Sequence, residues 1–164
     1  VCCAFLSGSP SLDDALTATH GSRRLIIPLF MAEGFFVSRV RALVEAWRSA
    51  RASRANTRIE GPIGSHPVVL EALAQRILDI AGGQRAAHAT SNTLVVLLVV
   101  GHGTTRHPSS GGTAQAAALL LEGRVGLQTR LAFLDQEPAV EDVVVSLPAC
   151  AHLIVIPFLW GGAE

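Results

Sequence analysis

The stretch LVVLLVVGHG, Leu94 to Gly103, decides how the rest of the chain is read. Seven consecutive aliphatic residues, Leu94 to Val100, carry no alternation of polar and apolar positions. Such a run is too short for the roughly 20 residues that span a bilayer, and it fits a strand buried on both faces of a parallel sheet. Leu25-Ile26-Ile27 and Leu153-Ile154-Val155-Ile156 are runs of the same kind. Six segments are therefore predicted as strands: Val1–Leu6, Leu25–Phe30, Arg58–Ile63, Leu94–Val100 closed by Gly101, Thr129–Leu134 and His152–Phe158. Helical patterns lie between them. Ser11-Leu12-Asp13-Asp14 supplies a cap and first-turn acids. Phe36–Ala52 places Val40, Leu43, Val44 and Trp47 at helical spacing, and Pro67–Ile80 opens on a first-turn proline. Ser109–Glu122 and Ala139–Leu147 complete the set. Strand and helix alternate, so the fold class is α/β with parallel sheets flanked by helices.

Composition narrows the function. The chain has 164 residues, 49% hydrophobic and 16% charged, with 13 basic and 13 acidic residues that cancel. Mean hydropathy is +0.42. A core-rich globular protein is implied, with no electrostatic footprint for nucleic acid or an anionic membrane. Every basic residue is Arg, and Tyr is absent, which excludes a Schiff-base lysine and a catalytic tyrosine. Cys2, Cys3 and Cys150 are too few for a disulfide framework and form no CxxC, so a reducing cytoplasm is the expected compartment. Neither a signal peptide nor a membrane span is expected.

An internal repeat organises the chain. Ala4-Phe5-Leu6 matches Ala132-Phe133-Leu134 at an offset of 128, and the same offset aligns Pro10 with Pro138 and Asp13-Asp14 with Glu141-Asp142. One inserted residue later, Pro28 meets Pro157. We read a tandem duplication, with residues 1–82 as the first unit, 83–92 as a linker and 93–164 as the second. The copies differ in what they contain. The first has no counterpart of VVLLVVGHG; the second lacks the part of the unit that follows its Pro157 strand, from the equivalent of Phe36 onward. The chain is accordingly expected to need further segments, or a homo-oligomer, to complete its sheets. A permuted arrangement in which Leu94–Val100 fills the first unit's gap is the alternative.

Candidate chemistry gathers where strands end, because parallel sheets bind ligands outside the carboxyl ends of their strands. His102, between Gly101 and Gly103, sits at such an end; it is either a site residue or the cap of the next helix. Asp135 and Glu137 follow Phe133-Leu134 at the same edge, where the first copy has Ser7 and Ser9. The pair fits either cation and proton handling or a plain helix start. Trp160 is either a stacking wall for a flat ligand or core. His66 and His107 occupy similar loop positions; His20, His88 and His152 have no partner in sequence. A serine hydrolase has little support, since no GxSxG is present.

Taken together, VVGHGTTRHPSSGG (Val99–Gly112), AFLDQEPAVEDVV (Ala132–Val144) and LIVIPFLWGGAE (Leu153–Glu164) resemble the class II sirohydrochlorin chelatases, the cobalt/iron chelatase group. AFLSGSPSLDDAL (Ala4–Leu16), RLIIPLFMAEGFF (Arg24–Phe36) and GPIGSHPVVLEAL (Gly61–Leu73) resemble the remainder of the same unit. The resemblance implies two chelatase-like α/β units with a tetrapyrrole in the cleft between them. Co2+ or Fe2+ is then a substrate metal, and no organic cofactor is needed. It assigns metal handling to His102 and to a second His that would fall at Phe36 in the first unit and just past Glu164 in the second. In that frame His102, Asp135 and Glu137 are the expected metal ligands, with His102 or Glu137 as the proton acceptor. Thr104, Thr105, Arg106, Ser109 and Trp160 are the expected substrate contacts, Ser110 lying in the same loop. The alternative is a non-catalytic tetrapyrrole- or metal-binding domain of a larger protein.

Overall fold

In the computed structural model, residues 1–20, 23–51, 56–87, 94–103 and 108–159 are described, residues 84–87 and 108–110 by their backbone alone. Strands β1 (Arg23–Ile26) and β2 (Asn56–Ile59) pair in parallel as one sheet, Arg23 opposite Asn56 and Ile26 opposite Ile59. A second parallel sheet has the order β4-β3-β5, formed by β3 (Val95–Gly101), β4 (Gln128–Phe133) and β5 (His152–Phe158). The helices are α1 (Leu12–Ala18), α2 (Phe35–Ala50), α3 (Pro67–Ala87), α4 (Pro108–Val125) and α5 (Val140–Val145), with a 3-10 turn at Ile63–Ser65.

The continuous aliphatic run does what its composition demands. All seven residues of β3 are buried, because the strand is central and both of its faces are covered. Val95, Leu97 and Val99 point into a core with Leu70, Ala74 and Ile77 of α3 and Ala114, Ala118 and Leu121 of α4. Leu98 and Val100 point the other way, toward Ala132 and Val143. Period-two alternation is thus present between two apolar layers, each aliphatic side chain contributing ~1.5–3 kcal/mol. The edge strands carry mixed residues, and Pro157 is accommodated in β5 because an edge position needs no second ladder.

Three expectations change. Val1–Leu6 forms no ladder; its one pairing is an isolated bridge between Phe5 and Ser11. The matching strand β4 is held by β3, and among the described residues nothing stands in that position beside Val1–Leu6. Strands expected at Leu25–Phe30 and Arg58–Ile63 begin earlier and stop at Ile26 and Ile59; Pro62 lacks the N–H that a longer ladder requires, and the 3-10 turn follows it. The small, polar stretch after Ile80 does not break the chain at once. Helix α3 continues to Ala87, through Gly82 and Gly83 at a cost of about 1 kcal/mol each, so the division expected after residue 82 falls inside it. This helix follows β2 in the chain yet packs in the core of the second sheet. The permuted arrangement is excluded, since both edges of β3 are occupied by β4 and β5.

The repeat is visible atom by atom. The Phe5 N–H donates to the Pro10 carbonyl at 3.0 Å, and the Phe133 N–H to that of Pro138 at 2.9 Å. Bridges Phe5–Ser11 and Phe133–Ala139 correspond, and the peptide bonds preceding Pro10 and Pro138 are both cis. Helix α1 begins with a reciprocal cap: the Ser11 hydroxyl accepts from the Asp14 N–H, and the Asp14 carboxylate accepts from the Ser11 N–H.

Replacing Ile77 by Ala is expected to cost about 2–5 kcal/mol, read in denaturant unfolding, and to speed amide exchange in β3 rather than in β1. Ser11's hydroxyl and then its backbone N–H hold the Asp14 carboxyl below its ordinary value of 3.8. A depressed carboxyl contributes stability above the unfolded value and loses it as pH falls through the folded one. Amide protection of α1 is therefore expected to fall on acidification below pH 3.8, and Asp14→Asn to abolish that dependence.

Candidate functional site

Three parallel strands end together at one edge of the second sheet, and the turn leaving β3 is its centre. Gly101 closes the strand where the Phe133 ring and the Ala114 methyl approach; a Cβ there would lie 3.0 Å from the ring and 3.2 Å from the methyl. Gly103 has φ +72°, the left-handed region that favours glycine, and a Cβ on it would meet Phe133 Cβ at 2.9 Å. Between these two glycines the backbone presents His102 outward.

The turn after β4 is bolted to the same backbone. Leu134 N–H donates to the carbonyls of Gly101 and His102 at 3.1 and 3.2 Å, and Asp135 N–H to that of His102 at 3.0 Å. Those bonds bring His102 Nε2 within 3.3 Å of Asp135 Oδ2, with 69% and 63% of the two side chains exposed. An imidazole and a carboxylate are thus preset side by side, open to solvent and fixed through main chain rather than by a buried network. Gln136 lies under them, packed close to Gly103 and to Gly111 in the first turn of α4. Sequence reasoning passed over Gln136; its one signal is its place between two candidate carboxylates.

Glu137 behaves differently from Asp135. Its carboxylate accepts from the Ala139 N–H at 3.1 Å, at the residue that precedes α5, which is the helix-start role. Among the described residues no three His, Cys, Asp or Glu side chains converge as a metal site. The structure therefore brings His102 and Asp135 together, and turns Glu137 toward its own helix. Thr104, Thr105, Arg106, His107 and Trp160 lie outside the described residues, and Ser109 and Ser110 are described by backbone alone, in the first turn of α4. His66 is a local structural residue, its Nδ1 accepting from the Val68 N–H at 3.3 Å.

The first unit reaches this region through the loop after β1. Glu33 N–H donates to Thr113 Oγ1 of α4 at 3.4 Å, and the Glu33 carboxylate pairs with both terminal nitrogens of Arg41 at 3.0 and 3.3 Å. Gly64 packs so tightly on Met31 that any Cβ would overlap its carbonyl. Phe36 stacks on Phe30 with centroids 5.6 Å apart and meets Phe35 edge-on at 5.5 Å. The position at which the resemblance implies a second His is thus part of a cluster of three aromatic rings.

Comparison with known proteins agrees with this architecture. The CbiX family model matches residues 1–80 and 96–163. This chain belongs to the CbiX family. A probable sirohydrochlorin cobaltochelatase of Halobacterium salinarum is 27% identical over 160 residues, covering 85% of this chain and 53% of that protein. Among solved structures, CbiX, described as the terminal enzyme for biosynthesis of siroheme in denitrifying bacteria, matches with a TM-score of 0.61 and 26% identity. That match covers 93% of this chain and 62% of the other. This CbiX-family chain therefore spans about half the length of the curated relative.

Gly103→Ala is expected to destabilise the fold by about 1–3 kcal/mol through its left-handed φ and the Phe133 contact, and to disorder the His102 turn. Gly112→Ala, with nothing within 4 Å of its Cβ, is expected to be neutral or stabilising by up to about 1 kcal/mol. Thermal unfolding of the two variants side by side makes the comparison.

Proposed function

We propose that the chain takes part in inserting a divalent metal, Co2+ or Fe2+, into the tetrapyrrole sirohydrochlorin, in cobalamin or siroheme synthesis in the cytoplasm. The observation that carries the reading is the exposed His102–Asp135 pair, held at 3.3 Å at the carboxyl edge of the sheet. Membership of the CbiX family supports the chemistry, and so does the name of the Halobacterium relative. No helix among the described residues is long and apolar enough to cross a membrane.

Metal insertion is an exchange. The ion leaves its water ligands, enters the ring, and displaces two pyrrole protons. A protein that assists must hold the ion weakly and accept protons. Imidazole and carboxylate suit both demands: the His102 ring offers a borderline nitrogen, Asp135 a hard oxygen, and neither traps the ion as thiolates do. With two donors preset, a cation at ~2.0–2.2 Å from each keeps its remaining positions for water and for ring nitrogens. Once the ion has moved into the ring, His102 is freed to take up a proton and pass it to solvent, which its exposure allows. Glu137 is the further acceptor and metal ligand in this reading, reached when it releases the Ala139 N–H. Thr104, Thr105, Arg106, Ser109 and Trp160 are proposed to meet the substrate's carboxylates and ring face.

A second reading, a non-catalytic binder of metal or tetrapyrrole, is favoured by one observation: Phe36, which cannot ligate a metal, stands where the resemblance calls for a His. The two readings separate in one assay. Sirohydrochlorin and Co2+ are mixed with and without the chain, and the absorbance change is followed. Acceleration over the metal-only control is expected, with a loss of about a hundredfold or more in His102→Ala and no change in His88→Ala. Cobalt or tetrapyrrole binding without acceleration identifies the binder, and neither binding nor acceleration removes both readings.

A further inference from the structure

The turn after β4 sets three consecutive polar side chains beside His102, and they do not share one environment. Asp135 and Glu137 are exposed, whereas Gln136 between them is half-buried. Its side chain lies across two glycines of different elements. A Cβ on Gly103 would meet Gln136 Cβ at 3.1 Å and Cγ at 3.3 Å. A Cβ on Gly111 would meet Gln136 Nε2 at 3.0 Å and Oε1 at 3.5 Å. The stem of the glutamine thus rests on the turn that carries His102, and its amide end on the first turn of α4.

Backbone bonds leave one side of His102 to be held. The three bonds from Leu134 and Asp135 end on the carbonyls of Gly101 and His102, and none of them reaches Gly103. That residue has φ +72° and, lacking a side chain, is free to take other conformations; the stem of Gln136 packs against it. On α4 the contact is selective. Among the described residues Gln136 is what closes Gly111 to a side chain, while the adjacent Gly112 has nothing within 4 Å of an added Cβ. The first unit supplies the contrast. At the repeat offset Gln136 corresponds to Gly8, as Asp135 and Glu137 correspond to Ser7 and Ser9. The copy without carboxylates after its strand is also without a side chain to brace the turn.

We propose that Gln136 is a positioning residue of this site: by spanning Gly103 and Gly111 it fixes the His102 turn against α4 and so sets the His102–Asp135 pair for a divalent cation. It touches neither substrate nor metal and acts through His102. The span is what matters, because one end of the side chain must reach the turn and the other the helix. The inference rests on the cation handling proposed for the pair, and outer residues that orient a metal ligand ordinarily change affinity without themselves binding the ion.

The test uses the native chain, its variants and Co2+ alone as the probe. Gln136→Ala is expected to weaken Co2+ binding in titration calorimetry by about tenfold. Its Tm is expected to stay within about 3 °C of the native chain, with amide exchange quickened at Asp135 and unchanged in β1. Gln136→Met, which keeps the span, is expected to restore native affinity. In a His102→Ala background, Gln136→Ala is expected to change Co2+ affinity no further. Gly111→Ala, which displaces the amide end, reproduces the loss and Gly112→Ala does not; Gly111→Ala with Gln136→Ala is no worse than either alone. Native affinity in Gln136→Ala overturns the proposal, as does a Gln136→Met chain as weak as Gln136→Ala. An equal loss without His102, or a general loss of stability that quickens exchange in both sheets, also overturns it. A native chain without Co2+ affinity removes the metal reading itself. The brace is then decided by Asp135 exchange in Gln136→Ala: quickened exchange upholds it and unchanged exchange overturns it.

Discussion

Everything at the carboxyl edge depends on the burial of β3 between two apolar layers. Because Val95, Leu97 and Val99 are gripped from one side and Leu98 and Val100 from the other, the strand cannot slide or rotate without exposing aliphatic surface. A one-residue slip would exchange its two faces. The strand's last residue is therefore a fixed point, and Gly101 allows Phe133 and Ala114 to close on it. His102 inherits its position from that anchorage. An exposed side chain has few contacts of its own to define it, so its placement is set by the buried strand behind it and by the three backbone bonds from Leu134 and Asp135.

Such a division of labour suits the ligand exchange proposed for this pair. A deeply buried His–Asp pair would be costly to desolvate and slow to release a cation. An exposed pair is cheap to form but ordinarily ill-defined, since surface ion pairs contribute little and hold geometry weakly. Main-chain clamping resolves the conflict: rigidity comes from amide bonds and from Gly103 beneath, and solvent access is retained at the side chains. Gln136, packed against Gly103 and Gly111, joins the turn to the first turn of α4 and so couples both neighbours of the site.

How much of this was legible in the sequence follows from how local each signal is. The LVVLLVVG run is self-sufficient: its length and lack of alternation fix a doubly buried strand, and Gly-His-Gly marks the turn. Ser11 with Asp14 announces its cap by identity and spacing alone. Signals that need a partner misled. Val1–Leu6 has strand composition, but a ladder requires a neighbour, and composition cannot supply one. Gly82-Gly83 reads as linker by chemistry, yet Leu70, Ala74, Ile77 and Ala81 bind the preceding turns to the second sheet, and helix propagation carries the chain past the glycines. Asp135 and Glu137 are equivalent in sequence and diverge in space, because one follows the backbone clamp to His102 and the other meets the start of α5.

Helix α3 gives the two units their relation. It is encoded in the first repeat, directly after β2, and its apolar face is spent in the core of the second. Burying Ile77 and Leu70 there makes the second sheet's layer depend on residues from the first, so the halves cannot be exchanged or separated without uncovering β3. The 3-10 turn that launches α3 also holds Met31, through the close fit of Gly64, and Met31 begins the loop whose Glu33 reaches Thr113 of α4. One chain of contacts therefore runs from the end of β1, through Met31, Gly64 and α3, to the helix beside His102. A duplicated fold normally yields two equivalent sites. Here the same duplication yields a histidine–carboxylate edge in one unit and an aromatic cluster at the loop of the other, the two units being joined by a shared helix. The unequal sequences of the two copies, Ser7 and Ser9 against Asp135 and Glu137, are thus matched by unequal geometry, since among the described residues only the second unit sets a histidine beside a carboxylate at its strand ends.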